Sequence, residues 1–101
     1  MKVQETWRGK IMSVIATIVL NEKPEEVILF LTKNELGISL PRLDGLYNLA
    51  NWAHVENNIG LLNLVHKMCD AGFIKNNGLR VVRGPNWREP AFMLEGKYTF
   101  D

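Results

Sequence analysis

Apolar positions at helical spacing dominate the first seventy residues, and short alternating runs replace them afterwards. Trp7, Ile11, Val14, Ile15, Ile18 and Val19 recur three and four residues apart, which predicts a helix from roughly Thr6 to Leu20. The β-branched density of residues 14–19 also suits a buried strand, and length favours the helix. After the polar Asn21-Glu22-Lys23, Pro24 fits the first position of a second helix, with Glu25 and Glu26 where the helix dipole favours negative charge. Val27, Ile28, Phe30, Leu31 and Leu36 give that helix, expected to end near Asn34, more than one buried side, and Gly37 suits the left-handed position beyond it. Ile38-Ser39-Leu40 reads as a short extended link, because Leu40 precedes a proline and is pushed out of helical geometry.

A third helix is expected from Pro41 to about Asn51, with Leu43, Leu46, Tyr47, Leu49 and Ala50 facing inward and Gly45 weakening it by about 1 kcal/mol relative to alanine. A fourth is expected over Val55–Ala71. A helical wheel puts Leu61, Leu62, Leu64, Val65, Met68 and Cys69 on one broad face and Glu56, Gly60, Asn63, Lys67 and Asp70 on the other. Gly72 stops it. Phe73-Ile74, Leu79–Arg83 and Ala91–Leu94 then read as extended segments, with Asn76-Asn77-Gly78 and Gly84-Pro85-Asn86 as turns. The second hairpin strand is expected at 91–94, placing the hairpin tip around Gly84 to Glu89.

This order of helix, helix, short link, helix, helix and hairpin resembles the winged helix-turn-helix superfamily. The likeness is carried by residues 24–94: a helix at Pro24–Asn34, a short strand at Ile38–Leu40, a helix at Pro41–Asn51, a helix at Val55–Ala71 ending in Gly72-Phe73-Ile74, and the wing. The fold class expected is therefore α+β, mainly α: one winged-helix domain over residues 1–101, with residues 1–22 as an N-terminal extension. Families of this kind often dimerise through such an extra helix, so the resemblance implies a homodimer. It also implies a transcriptional regulator that binds double-stranded DNA through the helix at 55–71 and the wing at 79–94.

Charge changes this picture only locally. Twelve Lys and Arg against eleven Asp and Glu leave a net charge of +1, which exerts no global pull on nucleic acid or anionic membrane. The segment from Lys75 to Arg88, however, carries Lys75, Arg80, Arg83 and Arg88 and no acidic residue. Such side chains suit phosphates, and Arg80 or Arg83 suits a minor groove, giving salt-dependent affinity. Trp87 is expected at the wing's tip as an exposed stacking or wedging group. On the fourth helix, Glu56, Asn57, Gly60, Asn63 and Lys67 are the outward residues that the resemblance places at base edges; Asn pairs with adenine and Glu accepts from cytosine. Asn57 and Asn58 serve equally as helix-start residues that satisfy free backbone N–H groups. The alternative is a winged helix that binds protein instead of DNA, with the apolar N-terminal segment and the Trp7, Trp52 and Trp87 surfaces providing contacts; the near-neutral charge supports it.

No catalytic or metal constellation offers itself. His54 and His66 are separated by about 18 Å along a helix, too far to share a metal. His66 and Asp70, four apart, suit a surface pair. The lone Cys69 reads as a small buried hydrophobe, and no phosphate-binding loop, CxxC, nucleophile elbow or HExxH occurs. A non-enzymatic, cofactor-free protein is expected. With no signal-peptide pattern, and an apolar run at 11–20 about half the length that spans a bilayer, the expected location is cytoplasmic, away from the membrane.

Overall fold

Helix wins over strand for the β-branched N-terminal run. In the computed structural model, which describes residues 14–98, residues 14–21 form helix α1 and bury Ile18 and Val19. The expected helix from Thr6 through residue 13, with Trp7 and Ile11, lies outside the described residues.

Helix α2, Pro24–Leu31, starts as its sequence dictates, with proline in the first turn and Glu25 and Glu26 beside it. It ends three residues before the expected Asn34. Thr32, fully buried, turns its hydroxyl back to donate to the Ile28 carbonyl at 2.8 Å, and Leu29 O lies 3.1 Å away. That local bond competes with helix propagation. Leu36 therefore falls beyond the helix and is exposed. Gly37 takes φ +63°, and a Cβ there would lie 1.9 Å from the Val81 carbonyl oxygen, so the position needs glycine both for its backbone and for the approach of the sheet.

Strand β1, Ile38–Ser39, leads directly into helix α3, Leu40–Leu49. Ser39 is the N-cap and accepts from the Arg42 N–H at 3.2 Å. Leu40, expected to stay extended, is already helical, and its N–H donates to the Leu79 carbonyl at 2.9 Å. Leu49, expected inward, is 85% exposed, because α3 ends there and turns away.

The next turn delays the fourth helix. Asn51, Trp52, His54 and Glu56 all have positive φ, between 58° and 73°, a left-handed run that non-glycine residues rarely adopt. It buries Val55 and leaves His54 Nε2 donating to the Leu20 carbonyl at 2.7 Å. Helix α4 is Asn58–Asp70 rather than Val55–Ala71. Asn57 is its N-cap, accepting from the Gly60 N–H at 2.9 Å. Leu61, Val65 and Met68 are buried as the wheel predicts, but Leu62 is 41% exposed and Cys69 only half-buried.

Gly72 has φ +83°, and the chain then enters β2, Ile74–Asn77, and β3, Arg80–Arg83. With β1 these form a three-stranded antiparallel sheet in the order β1-β3-β2. Asn77 pairs with Arg80 across Gly78-Leu79, so the hairpin tip lies there and not at Gly84–Glu89. Residues 91–94, expected as the second strand, instead form a single helical turn, α5, Ala91–Leu94, which buries Phe92. The reason is packing: the Phe92 ring meets Phe30 at 5.7 Å and Tyr98 at 5.5 Å, which closes the core beside α2. The result is a small α+β domain with one core built on Val27, Ile28, Tyr47, Val65, Val81 and Phe92.

Candidate functional site

Two surfaces carry the residues singled out from the sequence, the outward side of α4 and the hairpin with the segment after it. Asn63 and Lys67 are exposed on α4, beside the exposed Asn58, Ile59, Leu62 and His66. Lys67 has no ion pair among the described residues. Glu56 precedes the helix in the left-handed turn, Asn57 is engaged as the cap, and Gly60 packs against the Val55 carbonyl, so none of these three is a free reading residue on the helix face. His66 and Asp70 are not bonded to one another, and no cluster of potential metal ligands occurs among the described residues.

On the hairpin, Lys75 is exposed on β2 and without an ion pair among the described residues. Paired residues share a face, so Lys75, Asn77, Arg80 and Val82 lie on one side of the sheet and Ile74, Val81 and Arg83 on the other. Arg80 is tied back: its Nε donates to the Leu36 carbonyl at 2.8 Å and Nη2 to Gly37 O at 3.4 Å. Arg83 donates through Nη2 to the Lys33 carbonyl and stacks over Trp87, 4.2 Å from Cζ to the ring centroid. Both arginines satisfy carbonyls just beyond α2. Their heads are exposed, but their donors are partly committed.

Trp87 is not an exposed tip. Its ring is half-buried, and the indole N–H is 3.1 Å from both Leu29 O and Thr32 Oγ1. Gly84 and Asn86 place it: their N–H groups donate to the Phe73 and Gly72 carbonyls, and the Asn86 amide donates to Ala71 O at 2.9 Å. Arg88 is bidentate to Glu26, whose carboxylate also accepts the Ala91 N–H at 2.7 Å. The Arg88 hydrogen bond holds the Glu26 carboxyl below the ordinary carboxylate range despite partial burial, and the same bond raises Arg88. Lys33 pairs with Glu89 at 3.3 Å. Of the four cations in the acid-free stretch, Arg88 alone has an acidic partner among the described residues, Glu26; that contact, with those of Trp87 and Arg83, fastens the hairpin and the segment after it to α2 and the turn beyond it.

Sequence reasoning missed Ile59 and Leu62, one turn apart and exposed on α4 at 63% and 41%, and Leu79, 76% exposed at the hairpin tip. Arg42, exposed in the first turn of α3, was missed as well. The Leu40 N–H to Leu79 O bond sets the tip beside the start of α3. The Cys69 thiol is raised by burial and by the Asp70 charge, which keeps it protonated and poorly nucleophilic. No helix among the described residues is long and apolar enough to cross a membrane.

Comparison with protein families, with curated proteins and with solved structures finds no match for this chain.

Proposed function

We propose that the chain is a winged-helix module that binds duplex DNA, with α4 as the helix laid in the major groove and the short β2–β3 hairpin beside it. The observation that carries this reading is topological. The order α2, β1, α3, α4, β2, β3 with the sheet order β1-β3-β2 leaves the polar side of α4, with Asn58, Asn63, His66 and Lys67, outside the core. The contact set differs from the one read along the sequence. Lys67, Lys75 and Arg42 are the cations on these elements whose side chains have neither an ion pair nor a hydrogen bond among the described residues, Arg80 contributes its exposed head, Arg83 is held to the Lys33 carbonyl, and Trp87 and Arg88 are structural. The same reading carries a homodimer through α1, where exposed Leu20 and Leu49 flank a shallow apolar groove with Ile15 and Leu46; sedimentation velocity showing only monomer at high concentration removes that part.

The test is anisotropy of a labelled random-sequence duplex over a salt series. The expected result is measurable binding at low salt, with log K falling against log salt at a slope that reports about two to four neutralised phosphates. Lys67→Ala lowers the slope by about one. Undetectable binding at low salt overturns the reading.

One observation favours a second reading, a protein-binding face on the same helix: Ile59 and Leu62 are apolar and outward, where a DNA reader is usually polar. Replacing both with serine abolishes partner binding on that reading and leaves nonspecific DNA affinity unchanged on the first.

A further inference from the structure

A cleft of about 240 Å³ opens between α2 and α4, away from the hairpin tip. Its walls are apolar: Leu29, Leu64, Met68 and Phe73 line it. Three charged residues stand at its edge, Glu25 on α2, Lys67 on α4, and Arg88. Arg88 is paired with Glu26, so it adds little uncompensated charge. Glu25 and Lys67 are different. They stand on facing helices, no ion pair joins them, and neither has a hydrogen-bond or ion-pair partner among the described residues.

An apolar cleft with one free carboxylate and one free ammonium on its two walls is matched by a small molecule that carries both opposite charges and an apolar body. A purely anionic apolar ligand meets Glu25 unfavourably, and a purely cationic one meets Lys67 unfavourably. The volume, below that of most drug-sized sites, admits a compact ligand only. We propose that this cleft binds a free α-amino acid with an aliphatic or aromatic side chain. Its carboxylate pairs with Lys67, its ammonium pairs with Glu25, and its side chain sits on Leu29, Leu64, Met68 and Phe73. The site lies partly on α4, yet the proposal does not depend on DNA being bound, and DNA is absent from its test.

The experiment titrates the full chain with L-leucine, L-methionine and L-phenylalanine by calorimetry and by backbone amide shift mapping. Saturable binding in the millimolar range or tighter is expected for at least one of them, with shifts centred on Leu64, Met68 and Phe73. N-acetyl-L-phenylalanine lacks the ammonium and phenethylamine lacks the carboxylate, and each binds at least about tenfold more weakly than L-phenylalanine. Lys67→Gln and Glu25→Gln, both at exposed positions, still melt as cooperatively folded proteins, Glu25→Gln slightly earlier because it loses a favourable charge at the start of α2, and each weakens amino-acid binding by at least about tenfold. Absence of saturable binding by all three amino acids overturns the proposal. So does equal binding of the singly charged analogues, which reports apolar adhesion only, and so does wild-type affinity in both variants.

Discussion

The indole N–H of Trp87 is aimed at the Leu29 carbonyl and the Thr32 hydroxyl, both 3.1 Å away, while Arg83 lies over its ring. One side chain thereby joins the end of α2 to the segment that follows the hairpin, across a separation of 58 residues. Trp87→Ala is expected to cost about 2–3 kcal/mol, below the range for a fully buried tryptophan because the ring is half-exposed. Trp87→Phe, which keeps the ring and loses the N–H, costs about 1 kcal/mol. Urea unfolding at equilibrium measures both; wild-type stability of Trp87→Ala would leave the ring free for the stacking role expected from the sequence.

Two glycines have opposite expected responses to alanine. Gly37→Ala puts a Cβ 1.9 Å from Val81 O at φ +63°, so β1 must move away from β3; a loss of at least about 2 kcal/mol is expected. Gly45, inside α3, has nothing within 4 Å of the added carbon, and alanine there is expected to raise stability by about 0.5–1 kcal/mol through helix propensity. Thermal melts of the two variants, run together, check the pair of signs.

The Tyr47 hydroxyl is buried without a hydrogen-bond partner among the described residues. Burial, and then the Glu25 charge, push its ionisation far above the ordinary tyrosine value, so it stays a neutral, unsatisfied donor. Tyr47→Phe removes the unmet group and keeps the ring, and is expected to leave stability unchanged or raise it by up to about 1 kcal/mol. A loss of more than about 1 kcal/mol in chemical unfolding contradicts this.

Acid weakens the fastening of α2. The Glu26 carboxyl is held low by Arg88, so its contribution is present above the ordinary carboxylate pKa and is lost as pH falls through the depressed folded value. Glu22 behaves alike: burial pushes it up, but hydrogen bonds from Lys97 and Tyr98 outweigh this and leave it low. Stability therefore declines below the ordinary carboxylate range, and in Glu26→Gln the decline is shallower. Unfolding free energies measured from neutral to acid pH check the slope; an unchanged slope removes Glu26 as a contributor.

Arg83→Ala is expected to lower stability by about 0.5–1.5 kcal/mol, since Lys33 O loses its donor and Trp87 its stacked cation. Lys75→Ala, at an exposed position on β2, stays within about 0.5 kcal/mol of wild type. The double variant Arg80→Ala with Arg83→Ala thus lowers stability as well as removing two positive charges from the hairpin, and melts of the two single variants separate the contributions.

Local chemistry by itself determined where α2 starts, that Asn57 serves at a helix start, that Gly37 takes left-handed backbone, that Gly72 closes off the fourth helix, and that Leu61, Val65 and Met68 face inward. Each of these depends on residues within a turn or two along the chain, where spacing and side-chain type are sufficient. Only the tertiary structure decided that Trp87 turns inward, that Arg88 answers Glu26 62 residues away, and that 91–94 coils instead of pairing. It also decided that Leu49 and Leu62 face out. A basic run or an apolar periodicity reports what a segment offers; which carbonyl, carboxylate or ring accepts the offer depends on packing between segments far apart in sequence.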